Sequence, residues 1–92
     1  SKHKQDFLYH CISENLKQGI KEGIYRDDID IEIITRFRME SAMVVFQNNI
    51  FPQDKYDIIK VNNQIFANYI YGIASIKGHK LITQHINEIY KK

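Results

Sequence analysis

Residues 54–90, DKYDIIKVNNQIFANYIYGIASIKGHKLITQHINEIY, contain two helical patterns that decide the fold. At about 100° per residue, the first pattern carries apolar side chains over more than half of its circumference. The second pattern begins after a tight turn at residues 75–78 and is apolar on one face. An ordinary surface helix needs a much narrower apolar stripe. A chain of 92 residues has few other elements to cover both patterns, so the excess predicts a partner surface.

We expect the partner to be a second copy of the chain, which would make the protein a homodimer. The predicted interface combines the apolar faces of both patterns and consists of Asn62, Ile65, Phe66, Tyr69, Ile73, Gly78, Ile82, His85, Ile86 and Ile89. Gly78 has no side chain and would let another helix approach closely. A buried Asn62 would fix the register and the number of partners. Alternatively, both helices share one core within the chain.

Length and composition predict one small domain over residues 1–92, of a size at which oligomerisation adds useful stability. The net charge is +2, and the lysines form no basic stripe, so we expect no contact of these residues with DNA or RNA. The lone Cys11 excludes an internal disulfide and is typical of a reducing compartment. No stretch is long and apolar enough for a membrane span or a signal peptide, which predicts a cytoplasmic protein without membrane contact.

The fold class is predicted to be all-α with four helices, since no segment alternates with the period of a strand. The first helix starts near Ser1 and ends at a glycine C-cap, Gly23. The second helix follows the N-cap Asp30 and continues to about Asn48, with apolar residues almost all round, which predicts a central position in the domain. Asp54 is a candidate start for the third helix, and Ser75 is the predicted N-cap of the fourth.

The residue spacings predict no catalytic or metal centre. His79 and His85 lie six residues apart, and helical ligands on one face need a spacing of three or four. Cys11 has no identifiable base, and no serine lies in a glycine elbow. We therefore expect no enzyme activity, no metal and no cofactor.

Arg38 is the residue that most suggests a binding site. It projects from the apolar side of the second helix, where an isolated guanidinium must find a partner. One interpretation is a salt bridge to Asp6 or Asp57, or a side chain that extends to solvent. The other is an anchor for an acidic small molecule. The predicted effector-binding residues are Cys11, Arg38, Met39, Met43 and Phe46.

With these residues in view, the chain resembles the C-terminal regulatory domain of a TetR-type transcriptional regulator. The resemblance lies in residues 15–46, NLKQGIKEGIYRDDIDIEIITRFRMESAMVVF, and in residues 50–82, IFPQDKYDIIKVNNQIFANYIYGIASIKGHKLI. Three pieces carry it in order: the helix end at residues 23–26 with the entrance at residues 28–30, the end of the long third helix at residues 71–73, and the opening of the last helix at residues 75–78.

The resemblance implies an all-helical domain that binds a small-molecule effector and dimerises through its last two helices as an intermolecular four-helix bundle. In such bacterial regulators, the effector controls DNA binding by an N-terminal helix-turn-helix domain. No such motif precedes Ser1 in this sequence, so we expect the chain to be the sensing and dimerisation part, with DNA contact only through the missing domain. The alternative is a helical homodimerisation module with a filled core and no ligand.

Overall fold

The computed structural model describes residues 2–90 and the side chains of residues 4–88. Four helices follow one another along the chain: α1 (Lys2–Lys21), α2 (Ile31–Val44), α3 (Ile58–Ile73) and α4 (Ile76–Tyr90). The described residues contain no strand, and one isolated bridge joins Tyr25 to Ala74. The prediction of an all-α chain with four helices is therefore confirmed. None of the helices in this part of the chain has the length and apolar character needed to cross a membrane.

The predicted caps lie at three of the helix ends. Gly23 has a positive φ of 75°, and the amide of Ile24 donates to the carbonyl of Gly19, which closes α1 in a Schellman arrangement. The Asp30 carboxylate accepts a 3.0 Å hydrogen bond from the amide of Ile33 at the start of α2. Ser75 Oγ accepts from the Gly78 amide at 3.0 Å, at the start of α4. Local sequence therefore sets the first two boundaries, whereas the Ser75 hydroxyl also donates to the Ile24 carbonyl at 2.9 Å, far away in sequence.

The predicted boundaries between α2 and α3 were wrong. α2 ends at Val44 rather than near Asn48, because the amides of Phe46 and Gln47 donate to carbonyls three residues earlier and tighten the chain into turns. α3 begins at Ile58 with Asp57 as its N-cap, rather than at Asp54. The Pro52 carbonyl accepts from the amides of residues 55 and 56, so this segment forms a turn of its own before the helix.

The main core lies where α1, α2 and α3 meet. Its buried residues are Leu16, Tyr69 and Ile73, and partly buried isoleucines and Tyr25 surround them. Gly19 on α1 is buried against the ring of Tyr25, which would overlap any Cβ at this position. The connection between α1 and α2 therefore packs directly on the backbone of α1.

The prediction that α2 occupies the centre of the domain was wrong. Thr35 is the only buried residue of this helix, whereas Ile33 and Phe37 are 63% and 55% exposed. The helix packs against α1 and α3, but part of its apolar surface stays exposed. Its all-round apolar pattern therefore adds to the exposed apolar surface instead of filling the core.

The start of α4 is held against the α1–α2 connection by contacts between residues 23–26 and residues 73–78. We call these two segments the clasp. The amide of Arg26 donates to the Ile73 carbonyl at 2.8 Å, and the amide of Ser75 donates to the Ile24 carbonyl at 2.8 Å. Gly78 is buried under the same Ile24 carbonyl, where a Cβ would overlap it. The clasp thus fixes the first turn of α4.

The chain is more open than an isolated domain of its size. Its radius of gyration is 14.7 Å, compared with about 12 Å for a compact chain of this length. Its accessible surface is 7243 Å², compared with about 5,600 Å² for a folded monomer of this mass. Large apolar side chains contribute to this surface on all four helices, including Phe7, Phe37, Ile59 and Ile76.

Candidate ligand cavity and apolar groove

A cavity of about 320 Å³ that is open to solvent lies between α1, α2 and α3, and Cys11, Asn15 and Phe66 at its edge are exposed. We call it the Arg38 cavity. Its lining combines four apolar or aromatic residues from the helices with polar groups, and consists of Cys11, Ile12, Asn15, Tyr25, Arg38, Phe66, Tyr69 and Ile70. Arg38 is the only charged residue in this lining. The cavity is thus an apolar space with a single positive charge.

The guanidinium of Arg38 lies between aromatic rings and lacks a hydrogen-bond partner for one of its nitrogens. Its central carbon is 5.0 Å from the Phe66 ring centroid and 5.1 Å from that of Tyr69. Nη1 is buried without a hydrogen-bond partner among the described residues. Cation–π contacts stabilise the positive charge, but they do not provide a hydrogen-bond acceptor for an N–H donor. One donor of the Arg38 guanidinium is therefore unsatisfied inside the protein, beside the cavity but not open to it.

The salt bridge considered for Arg38 is not formed. The ion pairs of the described side chains are Lys17–Glu14, Arg26–Asp28 and Arg36–Glu32, and Arg38 is in none of them. Asp57 instead caps α3 through the Ile59 amide, and Asp6 is exposed on the first half of α1. Only the salt bridge of the first interpretation is thereby removed. A side chain that extends toward solvent stays possible for the partly buried Arg38, beside the interpretation as an anchor for an acidic molecule.

Two tyrosine hydroxyls belong to the same cavity. Burial raises the pKa of Tyr69, the nearby Tyr25 raises it further, and Arg38 partly opposes the rise. Burial also raises the pKa of Tyr25, with a smaller contribution from Glu22. Tyr25 donates a 3.1 Å hydrogen bond to Asn15 Oδ1. Both hydroxyls therefore stay protonated and neutral at physiological pH.

The structure brings together only part of the predicted effector site. Cys11 and Arg38 line the cavity, whereas Met39, Met43 and Phe46 are not in its lining. Met43 on α2 is 57% exposed, and Phe46 in the turn after α2 is 60% exposed.

The remaining lining residues were not predicted as effector-binding. Phe66 and Tyr69 are predicted interface residues, and Tyr25 lies in residues 23–26, for which the sequence predicts only a helix end. The signal that could have located them is the pair of aromatic residues three positions apart on α3, facing an arginine in an apolar pattern.

A second apolar feature is an open groove with a volume of about 500 Å³ between the last two helices, which we call the α3–α4 groove. It is lined by Asn63, Phe66, Ala67, Ile70, Leu81, Ile82, His85 and Ile86. On another part of the same helix pair, the Tyr71 hydroxyl contacts that of Thr83 at 3.1 Å, and the Tyr71 ring lies 4.8 Å from His79. The helices are therefore linked by polar and aromatic contacts while an apolar face between them stays uncovered.

The predicted interface residues divide into two groups. Phe66, Ile82, His85 and Ile86 line the groove, while Asn62 is exposed and Ile65 is half-buried on α3. Ile89 lies outside the residues whose side chains are described.

The second group is covered by its own chain. Tyr69 and Ile73 belong to the core, and Gly78 lies under the Ile24 carbonyl in the clasp. The close approach predicted at Gly78 is therefore made within the chain, and these three residues are not available to a partner.

The cavity and the groove share two residues of α3. Phe66 and Ile70 appear in the linings of both. A molecule in the cavity and a partner in the groove would therefore contact the same two side chains from different sides.

The described residues contain no group of three or more His, Cys, Asp or Glu side chains that could hold a metal ion. Comparison with known proteins gave no match: no family model matches the chain, and neither a curated protein nor a solved structure is significantly similar to it. The resemblance to TetR-type regulatory domains thus stays a prediction from the sequence, and the function must be argued from the site.

Proposed function

We propose that this chain is the effector-binding and dimerisation domain of a bacterial TetR-type transcriptional regulator, without catalytic activity. DNA binding would be performed by a helix-turn-helix domain outside these residues. The observation that carries the proposal is that Phe66 and Ile70 line both the Arg38 cavity and the uncovered α3–α4 groove. A sensor needs both features in contact, because ligand binding must affect the assembly.

The uncovered surface supports a homodimer. The chain exposes roughly 1,600 Å² more than a compact monomer of its mass, about twice what each partner buries in a standard interface. The α3–α4 groove is apolar, and α3 and α4 of a second copy present the same kind of apolar face. Two copies related by a two-fold axis would cover both grooves at once and form a four-helix bundle.

The Arg38 cavity supports small-molecule sensing. Its volume of about 320 Å³ is at the lower end of the range found for ligand pockets. Its lining combines apolar walls with a few convergent polar groups, which is the usual composition of such pockets.

The proposed mechanism is a shift between two arrangements of the dimer. A ligand changes the population only if it binds one arrangement more tightly than the other. Movement of Phe66 or Ile70 toward or away from the cavity would alter the groove that the partner fills. The two subunits would then change their relative position, and with it the separation of the attached DNA-binding domains.

A thermal-shift screen of small molecules tests the sensing part of this proposal. We expect a chemically related group of compounds to raise the Tm, because a ligand that binds only the folded state stabilises it. The substitution Ile12→Phe adds side-chain volume to the cavity and should remove this shift. Leu8→Phe, one turn earlier on α1 and 44% exposed, is the matched control and should keep it.

A screen without related hits, or hits that Ile12→Phe leaves unchanged, would contradict ligand sensing in this cavity. The dimerisation module without a ligand would then be the better description of the chain.

A further inference from the structure

We propose that the Arg38 cavity binds small monocarboxylic acids, with the carboxylate paired to the Arg38 guanidinium and the apolar part of the ligand against Ile12, Phe66 and Ile70. This inference rests on the proposed sensing function and names the chemical class of its effector.

Arg38 is a cation that none of the ion pairs found among the described side chains neutralises. Its Nη1 is buried without a hydrogen-bond partner in this part of the chain, so an incoming acceptor would meet a donor on one of the other two guanidinium nitrogens. A carboxylate offers two oxygens in a plane, which match the donors of a guanidinium in a bidentate pair. A neutral carbonyl ligand would satisfy the donor but would leave the positive charge without a counter-charge.

Two aromatic rings already hold Arg38 in place. The Phe66 and Tyr69 rings contact the guanidinium at 5.0 and 5.1 Å, so the side chain loses little further freedom when a ligand binds. These contacts also leave Phe66 against the cavity, where it can pack on an apolar or aromatic ligand.

The charge of the cavity lining favours a ligand with a single negative charge. Arg38 is the only charged residue in the lining, and the tyrosines beside it are neutral because burial raises the pKa of both hydroxyls. One positive charge balances a monoanion. A phosphate group would carry close to two negative charges into the same apolar space and would lack further donors. The cavity therefore fits a carboxylate better than a phosphate.

Pairs of acids and amides with the same carbon skeleton test this inference on the unmodified protein. The probes are 3-phenylpropanoate with 3-phenylpropanamide, hexanoate with hexanamide, and inorganic phosphate as the alternative anion. Binding is followed by the NMR resonances of the Arg38 Nε–H group and of the Phe66 ring. We expect at least one acid to shift both resonances and to bind at least tenfold more tightly than its amide, because only the acid forms a charge-assisted pair.

Two substitutions identify the residue responsible. Arg38→Gln keeps an amide donor but removes the charge, and should weaken binding of the acid about tenfold or more while leaving the amide unaffected. Arg36→Gln is the matched control on the same helix, because Arg36 is exposed and pairs with Glu32. It should leave acid binding unchanged.

Several results would overturn the inference. If the amides bind as tightly as their acids, the cavity binds neutral ligands and does not select carboxylates. If inorganic phosphate binds more tightly than every acid, the cavity is a site for a different anion. If no acid moves the Arg38 resonance at saturating concentration, the carboxylate class is excluded. The broader screen for sensing is judged separately, on its own hits.

Discussion

Arg38 illustrates how much of a site can be predicted from single residues. Its position in an apolar helical pattern predicts a buried charge that needs a partner, and the structure places it in a cavity beside Phe66 and Tyr69. The partners themselves could not be predicted, because they come from a helix about thirty residues away whose rotation depends on the whole core. The same limit explains Met43 and Phe46, which have the right chemistry but point outward.

Thr35 provides a test of the packing around α2 at the level of one atom. It is fully buried, and its hydroxyl has no hydrogen-bond partner among the described residues. Thr35→Val replaces this hydroxyl with a methyl group of the same shape and should raise the free energy of unfolding by about 1 kcal/mol. Urea denaturation followed by circular dichroism measures the change.

Thr83→Val is the matched control, because the Thr83 hydroxyl contacts Tyr71 at 3.1 Å. Loss of this hydrogen bond should lower the free energy of unfolding by about 1 kcal/mol. If Thr35→Val destabilises the protein as much as Thr83→Val does, the Thr35 hydroxyl has a partner and the described packing is incorrect.

The helices were predictable to the extent that their boundaries are local. Gly23 and Asp30 act through neighbours in sequence, whereas Ser75 caps α4 and also contacts the distant Ile24 carbonyl. All three lie where the sequence predicts a cap. The end of α2 was not predictable in this way, since no glycine stops the helix and the chain tightens gradually beyond Val44. Asp54 and Asp57 are both good N-caps by type, and the turn formed around Pro52 decides between them.

The packing of the α1–α2 connection on α1 makes a prediction about two glycines. Gly19→Ala should lower the free energy of unfolding by about 1 to 3 kcal/mol, because its Cβ would overlap the Tyr25 ring and force the connection away from the helix. Gly72→Ala in α3 meets no neighbouring atom and should stabilise the chain by about 0.5 kcal/mol through helix propensity. Thermal and urea unfolding of both variants measure the difference. Equal effects at the two positions would contradict the close contact at Gly19.

For the whole molecule, the apolar excess that the sequence places in residues 54–90 extends further than predicted. α2 contributes exposed residues such as Ile33 and Phe37, while Tyr69 and Ile73 of α3 are used within the chain. The sequence could predict the amount of apolar surface but not its distribution, because the choice of buried face depends on how α1 and α3 share one small core. The groove between α3 and α4 is the part of this surface that a second copy can cover by symmetry.

The position of the interface is tested by charges on the uncovered apolar surface. Ile82→Asp places a carboxylate in the α3–α4 groove and should dissociate the dimer, because a charge without a partner is costly in a buried interface. Ile33→Asp makes the same chemical change on α2, where the side chain is 63% exposed and outside the groove, and should leave assembly unchanged. Circular dichroism establishes that both variants keep their helices. A dimer that persists in Ile82→Asp would place the interface elsewhere.

Sedimentation equilibrium of the unmodified chain at high micromolar concentration tests the central claim most directly. We predict a mass of twice the 11.0 kDa of a single chain, because the surface exposed beyond that of a compact monomer is large enough for a stable two-fold interface. A mass of one chain at this concentration would contradict the account, since the α3–α4 groove would then be an open surface without a second copy to cover it.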